Sequence, residues 1–271
     1  MSVDGHRVPV GVVGDGPPAL FLHGWGMRPA TYRPAIEAMA RAGCRVYAPS
    51  LPGFGGTAEL PAPERSFAGY AAWVGRYLDV QGLDAVGLVA GHSFGGGVAT
   101  AFTHDHPRRV RALLLANAIG SPAWVTTAGA VRTMAQRPIW DWGRHLGTDL
   151  LHSPGMLRHV PAIVEDLVPN VVHHPLSFWR TGSFIRSADL VGELRVIAGR
   201  GHTVQVVWSD RDRLVPRAAF DDLRRAAGVP GLVVEGSHSW LIGDPGHFGD
   251  AALFALVDAG LVGRRPTLTV V

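Results

Sequence analysis

Short apolar runs alternate with amphipathic stretches along most of the chain, and this alternation limits the possible folds more than any other feature. Seven runs rich in Val, Leu and Ile are bounded by Gly, Pro or Asp, as is typical of buried strands. They are residues 8–13, 19–22, 46–48, 85–90, 112–116, 204–208 and 232–234. Helical spacing lies between them at residues 32–42, 67–80, 95–106, 217–227 and 245–259. The pattern predicts an α/β fold with a mostly parallel central sheet and helices on both faces.

The alternation stops between residues 118 and 201, where no clear strand is visible and short helical pieces carry large aromatic side chains. Roughly 80 residues are too many for an ordinary loop inside a compact sheet, so we expect a folded insertion. The sequence thus predicts a core domain from residues 1–117 and 202–271, with a helical cap over residues 118–201. The aromatic residues Trp124, Trp140 and Phe178 either line a substrate pocket under this lid or fill the core of the insertion itself.

Composition limits the partners and the compartment. The 271 residues carry a formal net charge of +3, and all 25 basic residues are arginines scattered along the chain. Nucleic-acid binding needs basic residues clustered on one face, so we predict no nucleic-acid partner. Cys44 is the only cysteine, which excludes an intrachain disulfide and fits a reducing compartment. Residues 1–10 lack the apolar run of a signal peptide and no stretch reads as a membrane span, so we expect a soluble cytoplasmic protein.

A serine bracketed by glycines stands between the fourth predicted strand and the helix after it. The segment reads Gly-His-Ser-Phe-Gly-Gly at residues 91–96. A serine on a tight strand-to-helix turn adopts a strained backbone, and the glycines let neighbouring chain approach, so the Ser93 hydroxyl points outward above the sheet. The turn also sets Ser93 at a helix N-terminus, which favours developing negative charge. We predict Ser93 as a nucleophile and His92, which cannot easily reach its neighbour, as a structural residue.

Polar residues that could activate Ser93 follow the last two predicted strands. A serine hydroxyl is a weak nucleophile at neutral pH unless a base removes its proton and a third group orients that base. With a nucleophile on such a turn, the partners follow in the chain order serine, acid, histidine. Asp210 and Asp212 come after the sixth strand, and His238 lies between the last strand and the last helix. We expect His238 to be the base and one of the two aspartates to orient it.

With these segments the chain resembles the α/β-hydrolase fold family over essentially its whole length. In that family the acid lies one turn before a Val-Pro or Ile-Pro pair, so the resemblance favours Asp212, before Val215-Pro216, and makes Asp210 the second choice. His238 is similar to the histidine of the family, although one serine separates it from the preceding glycine. The resemblance therefore implies a catalytic triad of Ser93, Asp212 and His238.

The resemblance extends to two loops beside the predicted nucleophile. Residues 23–26 read His-Gly-Trp-Gly and are similar to the family's His-Gly loop, which implies backbone N–H groups of Trp25 and Phe94 as oxyanion donors. We expect His23 to brace this loop by a hydrogen bond. Residues 49–57 resemble the Pro-Gly-x-Gly turn beside the family's site. The side chains of Trp25 and Trp240 are further candidates for lining the substrate pocket.

No cofactor or metal is expected. The glycines of residues 49–57 lack the Gly-Lys-Ser/Thr ending of a phosphate loop, and no Gly-x-Gly-x-x-Gly opens the first strand-helix turn. The insertion contains several histidines that lack ligand spacing on one helix face and a carboxylate cluster to join them, so a metal site is not predicted. These histidines are His152, His159, His173 and His174.

The resemblance implies two-step acyl transfer, in which Ser93 attacks an ester-type carbonyl and water later releases the acid. A serine at position 93 argues against the haloalkane dehalogenases and epoxide hydrolases of the fold, which carry an aspartate on the corresponding strand-to-helix turn. The first choice is a carboxylesterase or small-molecule lipase that acts on apolar acyl or aromatic esters, because the insertion is rich in tryptophan.

Several alternatives stay open on the same scaffold. The same triad serves carbon-carbon bond hydrolases, cofactor-free perhydrolases and acyltransferases. A ligand-binding protein without catalysis is an alternative from a different class, because a fold does not by itself fix a function. A complete set of nucleophile, base and acid favours catalysis, since a pure binding module has no need for a proton-transfer chain.

Overall fold

The computed structural model of the chain describes residues 1–123 and 175–263, with side chains in the second range from Phe178 onward. Nine strands and eight α-helices lie in these ranges. The strands are β1 (Ser2–Val3), β2 (His6–Arg7), β3 (Val10–Val13), β4 (Pro18–Leu22), β5 (Arg45–Pro49), β6 (Val86–His92), β7 (Val110–Ala116), β8 (Thr203–Ser209) and β9 (Leu232–Val234). The helices are α1 (Arg33–Arg41), α2 (Phe67–Val80), α3 (Phe94–Asp105), α4 (Pro175–Ile185), α5 (Val191–Gly199), α6 (Arg217–Ala227), α7 (Trp240–Gly243) and α8 (Pro245–Asp258).

Seven strands form one sheet in the order β3-β5-β4-β6-β7-β8-β9. All neighbouring pairs are parallel except β3 with β5, which run antiparallel. The predicted mostly parallel α/β sheet is therefore confirmed. Strands β1 and β2 pair separately as a small antiparallel hairpin, which the sequence did not predict because two-residue strands are too short to show periodicity.

Side chains alternate between two cores on opposite faces of the sheet. In β4, for example, Leu20 and Leu22 enter one core while Ala19 and Phe21 enter the other. Buried residues of α2, α3, α5 and α6 complete the first core, and those of α1, α7 and α8 complete the second. Because both faces are covered, the central strands read as continuous apolar runs and not as alternating ones.

The five helices with predicted limits, α1, α2, α3, α6 and α8, begin and end within one residue of them, and local signals explain two of the boundaries. The Ser66 side chain accepts a hydrogen bond from the Gly69 amide and caps α2. Gly228, with a φ of 68°, ends α6 in the left-handed conformation that glycine adopts without strain. The four-residue helix α7 was not predicted, since a single turn is too short for helical periodicity to appear. No helix in the described ranges is long and apolar enough to cross a bilayer.

Helices α4 and α5 lie in the segment for which the sequence predicts a cap. Helix α5 packs beside α3 and α6, and its Leu194 and Ile197 are fully buried in the first core. Helix α4 contributes Phe178 and Ile185 to the same core, and Phe178 also contacts the loop after β4, as described below. The division of the chain at residues 117 and 202 stays a prediction, and within it α5 belongs by its packing to the helix layer of the sheet.

Cys44 should be inert in the folded protein. Its thiol is fully buried and donates to the Met39 carbonyl at 3.0 Å, and burial raises the pKa of this thiol to about 12. Since the thiolate is the reactive species, we expect no reaction with Ellman's reagent at about pH 8. Unfolding in guanidinium chloride should release one reactive thiol per chain. Rapid modification of the native protein would contradict the buried position.

Candidate active site

The predicted nucleophile lies on a strained turn at the carboxyl end of the central strand β6. Ser93 has a φ of 53° and a ψ of −117°, a conformation that costs a non-glycine residue about 1–3 kcal/mol. The neighbouring strand holds the turn in place, because the Ser93 amide donates to the Ala116 carbonyl at 3.0 Å. The Ser93 carbonyl accepts from the Ile119 amide at 3.2 Å. The tight turn predicted from the sequence is present, and both the amide and the carbonyl of Ser93 are hydrogen-bonded.

The glycines around Ser93 are required by close backbone contacts. A Cβ atom on Gly91 would overlap the Gly95 carbonyl, and a Cβ atom on Gly95 would overlap the Leu22 carbonyl. These contacts let helix α3 begin directly against β4 and β6. The spacing of the Gly-x-Ser-x-Gly segment therefore reflects how closely strand and helix approach each other.

His238 and Asp212 form a buried pair. The Nδ1 atom of His238 lies 2.8 Å from Oδ2 of Asp212, and the two side chains are almost completely shielded from water. The other carboxylate oxygen, Oδ1, accepts from the amides of Leu214 and Val215 at 2.7 and 2.9 Å. Since a carboxylate only accepts, Nδ1 of His238 carries the proton in this pair. Its Nε2 atom is then the ring nitrogen that can act as a base.

Asp210, the second choice for the acid, lies elsewhere. Its side chain is about half exposed and accepts from the Gly236 amide at 3.0 Å. The nearest charged group is the Arg211 guanidinium, 3.5 Å away. Asp210 thus holds the turn between β9 and the His238 loop, whereas Asp212 is the aspartate that contacts the histidine.

Asn117, which was not among the predicted site residues, fastens Asp212 to the sheet edge. Its Nδ2 group donates to Oδ2 of Asp212 and, at 2.7 Å, to Oγ of Ser209. Its Oδ1 accepts from the indole N–H of Trp240 at 2.7 Å. Asn117 has a φ of 44°, which asparagine tolerates better than most residues. An asparagine directly after a buried strand was the available signal.

Trp240 is therefore tied to the support of the acid. The side chain is buried in the second core, with its ring against Phe248 and its N–H on Asn117. Among the other predicted pocket residues, Trp124 and Trp140 lie outside the described residues. The same holds for the histidines of the insertion, and no group of three or more potential metal ligands occurs in the described ranges.

His23 braces the loop after β4, as expected from the sequence. Its Nδ1 donates to the Gly24 carbonyl at 2.9 Å, and its Nε2 accepts from the Leu51 amide at 2.8 Å. Complete burial lowers the pKa of His23 from its usual 6.5 to about 4, so the ring is neutral at physiological pH. The bracing links residues 23–26 to the turn of residues 49–57, the two loops that the resemblance sets beside the site.

His92 is likewise buried and neutral. Its Nε2 donates to the main-chain carbonyl of His238 at 2.9 Å, and its Nδ1 lies 2.9 Å from the Tyr32 hydroxyl. Burial and the neighbouring His238 hold the pKa of His92 well below 6.5. The residue before the nucleophile thus connects the serine turn to the histidine loop, in line with the structural part predicted for it.

Trp25 and Phe178 lie against each other where the β4 loop meets helix α4. Their rings stack with centroids 3.9 Å apart, and the Trp25 indole donates to the Phe178 carbonyl at 3.1 Å. Phe94 is the first residue of α3, so its amide points out of the helix end. Its ring is buried against Tyr70 and Phe54. Aromatic side chains from α4 and the core therefore surround the β4 loop and the start of α3.

The two buried histidines should make the protein less stable in mild acid. Their pKa values are lowered in the folded state, to about 4 for His23 and also well below 6.5 for His92. As the pH falls below about 6.5, the unfolded chain takes up protons that the folded chain does not. The free energy of unfolding should then fall by about 1.4 kcal/mol per pH unit for each histidine, until its folded pKa is reached. Urea unfolding followed by tryptophan fluorescence between about pH 7 and about pH 5 measures this slope.

A pair of variants isolates the effect of one histidine. His92→Phe removes a buried imidazole and should flatten the pH dependence by about one proton, whereas His6→Gln, on the exposed β2 strand, serves as the matched control. Parallel pH dependences of the unfolding free energy in wild type and His92→Phe would contradict the conclusion that the buried His92 ring is neutral.

Comparison with known proteins places this arrangement in a family. A family model of the alpha/beta hydrolase fold matches residues 17–162. A protein of Mycobacterium phage D29, named among the non-heme haloperoxidases, is 27% identical over 265 residues, which cover 94% of this chain and 93% of the relative. The 2-hydroxymuconate semialdehyde hydrolase of Pseudomonas putida is 38% identical over 121 residues, 43% of this chain and 41% of the relative.

A solved structure extends the likeness to nearly the whole chain. The enol-lactonase from Burkholderia xenovorans LB400 is similar with a TM-score of 0.72 over 96% of this chain and 98% of that chain, at 20% sequence identity. At this identity the likeness concerns the fold. The sheet order, the strained serine turn and the matching family model lead to one conclusion: the chain belongs to the α/β-hydrolase fold family.

Proposed function

We propose that the protein is a serine hydrolase that cleaves a carboxylic ester through a covalent acyl-enzyme. The observation that carries the proposal is the meeting of three elements at one sheet edge. Ser93 follows β6 on the strained turn, and the buried pair of Asp212 and His238 follows β8 and β9. The carboxyl ends of parallel strands are where open α/β sheets place their sites. Membership of the family supports a hydrolase, and the ester as its substrate is our inference.

The proposed reaction begins with proton transfer at the imidazole. The Nδ1–H of His238 stays hydrogen-bonded to Asp212 throughout. Nε2 takes the proton from the Ser93 hydroxyl as Oγ attacks the ester carbonyl. A new C–O bond forms and the carbonyl electron pair moves to its oxygen. The tetrahedral intermediate then collapses, and the leaving alcohol receives the proton from His238. Water repeats the sequence on the acyl-enzyme and releases the acid.

We propose that groups held in place by hydrogen bonds stabilise the two charges that develop in the reaction, the imidazolium of His238 and the oxyanion of the substrate. Four donors meet the Asp212 carboxylate: His238, Asn117 and the amides of Leu214 and Val215. A carboxylate held in this way stabilises the imidazolium that forms when Ser93 gives up its proton. For the oxyanion we propose the amides of Trp25 and Phe94, since preorganised donors there contribute about 2.7–4 kcal/mol each in comparable enzymes.

The aromatic surroundings support an apolar substrate. Trp25 is only partly buried, and its ring stacks on Phe178, so both lie where an acyl or aromatic group would approach the β4 loop. We propose these two side chains as pocket residues. Trp240 is not among the pocket residues that we propose, because its N–H is bound to Asn117 and its ring packs on Phe248 in the second core.

Carbon-carbon bond hydrolysis is the second candidate, favoured by the likeness of about two fifths of the chain to the Pseudomonas putida hydrolase. The same nucleophile, base and oxyanion donors would serve a bond beside a carbonyl group. A vinylogous 1,5-diketone of the ring-cleavage type is therefore the comparison substrate. Turnover of this compound without turnover of esters would move the assignment to this class. Perhydrolase, acyltransferase and non-catalytic binding activities are the remaining alternatives.

Hydrolysis of p-nitrophenyl esters of increasing chain length tests the ester proposal. We expect turnover by the wild type, and a fall in kcat on the order of a thousandfold or more in both Ser93→Ala and His238→Ala, because the triad acts as a unit. A fluorophosphonate probe should label the wild type and leave Ser93→Ala unlabelled. A folded wild type that neither labels nor turns over any ester would refute the serine hydrolase.

The two neighbouring aspartates give a matched pair of variants. Asp212→Asn should lower kcat by about a thousandfold or more, since an amide in place of the carboxylate cannot stabilise the imidazolium. Asp210→Asn changes the same kind of group two residues away and should leave kcat within about threefold of the wild type. Far-UV circular dichroism of both variants checks that the fold is intact. Equal losses in the two variants, or a larger loss in Asp210→Asn, would show that Asp212 is not the acid.

A further inference from the structure

A buried line of hydrogen bonds joins the β4 loop to the histidine loop through Tyr32 and His92. The Gly24 amide donates to the Tyr32 hydroxyl oxygen at 3.2 Å. That hydroxyl lies 2.9 Å from Nδ1 of His92, and Nε2 of His92 lies 2.9 Å from the main-chain carbonyl oxygen of His238. Tyr32 and His92 are 60 residues apart in the sequence and His92 and His238 are 146 residues apart, and both Tyr32 and His92 are buried.

The direction of each hydrogen bond follows from the chemistry of its partners. The His238 carbonyl can only accept, so Nε2 of His92 carries the hydrogen. Burial keeps His92 neutral by holding its pKa well below the usual value, so Nδ1 has no hydrogen and accepts from the Tyr32 hydroxyl. The oxygen of Tyr32 in turn accepts from the Gly24 amide. Every donor in the line thus has one acceptor, and the tautomer of His92 is fixed.

The position of Gly24 shows how closely the loop approaches this line. A Cβ atom at Gly24 would lie 2.7 Å from the Tyr32 oxygen, 3.1 Å from Nδ1 of His92 and 3.6 Å from Cβ of Ser93. Only a residue without a side chain lets the peptide reach these partners. The next residue is Trp25, whose amide is the proposed oxyanion donor. The Trp25 amide lies in the following peptide, whose Gly24 carbonyl oxygen accepts from Nδ1 of His23 at 2.9 Å and from the Met27 amide at 3.3 Å. The line to Tyr32 and His92 holds the peptide directly before it, so both peptides that flank Gly24 are bound.

We propose that Tyr32 and His92 are positioning residues that hold the oxyanion loop, the serine turn and the base in one fixed arrangement. His92 is covalently next to Ser93, and its ring centroid lies 4.8 Å from that of His238. The role rests on the proposed serine-hydrolase function. Neither residue reacts, and each acts through a group that does. Buried polar groups that are fully paired specify one geometry, which apolar side chains of the same size would leave looser.

Kinetics of three variants test the role. Tyr32→Phe keeps the ring against Phe21 and removes only the hydroxyl. His92→Phe removes the Nε2 donor and the Nδ1 acceptor of the imidazole. We expect kcat for p-nitrophenyl esters to fall by about 10- to 100-fold in each variant, with KM within about twofold of the wild type, because misplaced reacting groups lower kcat. The double variant should fall little further than the worse single one, as expected for residues in one line of contacts.

Controls separate this role from a general loss of stability. Tyr77→Phe removes another buried tyrosine hydroxyl, which accepts from Gln81 at 3.1 Å in helix α2, and should leave kcat unchanged. His92→Gln keeps a donor and an acceptor and should recover part of the activity lost in His92→Phe. Wild-type kcat in Tyr32→Phe and His92→Phe, or an equal loss in Tyr77→Phe, would overturn the positioning role.

Two further measurements do not depend on ester turnover. Long-range ¹H–¹⁵N correlation spectra of the wild type at neutral pH should show His92 as the neutral Nε2–H tautomer, and a charged ring or the Nδ1–H tautomer would overturn the proposal. The rate of fluorophosphonate labelling should fall in Tyr32→Phe and His92→Phe by the same factor as kcat. A wild type that labels normally while both variants label equally fast refutes the positioning role alone. A wild type that neither labels nor hydrolyses esters overturns the proposed function together with it.

Discussion

The strained turn at Ser93 is the constraint on which the rest of the site depends. A positive φ at a non-glycine residue persists only where the surroundings over-determine it. Here the Ser93 peptide is bound on both sides, by the Ala116 carbonyl and by the Ile119 amide, so strand β7 supports a turn that belongs to β6. The glycines around it admit the close contacts with β4 and α3. The position of the hydroxyl is therefore set by the sheet, and every other group must be placed relative to it.

Two buried polar networks position the other groups relative to Ser93, one from each side. On one side Asn117 joins Asp212 to Ser209 and Trp240, so the acid is tied to the ends of β7 and β8. On the other side His92 and Tyr32 join the histidine loop to the β4 loop. Buried polar groups are costly when unpaired, which means that a network of this kind tolerates few alternative geometries.

The sequence predicted what depends on local patterns and missed what depends on contacts between distant segments. Strands, helices and the turn at Ser93 were visible because periodicity and the glycine spacing are local properties. The choice of Asp212 over Asp210 came from the following Val-Pro pair, and the structure places Asp212 against His238. Asn117 and Tyr32 carry no local signal of this strength, because their partners lie about 60 to 120 residues away along the chain. Trp240 as a pocket residue stays a prediction, and only packing reveals that its indole N–H donates to Asn117.

The arrangement separates the chemistry of the site from the choice of substrate. Groups that would transfer the proton and bind the oxyanion are held by the sheet edge, whereas the stacking partner and the indole acceptor of Trp25 come from helix α4. A change in α4 can therefore reshape the surroundings of Trp25 without moving Asp212 or His238, which are bound by other elements. Proteins similar to this chain carry the names of a lactonase, a haloperoxidase and a semialdehyde hydrolase, and a fold does not by itself fix a function. The separation implies that substitutions in α4 should alter KM and substrate preference, whereas substitutions in the two networks should alter kcat.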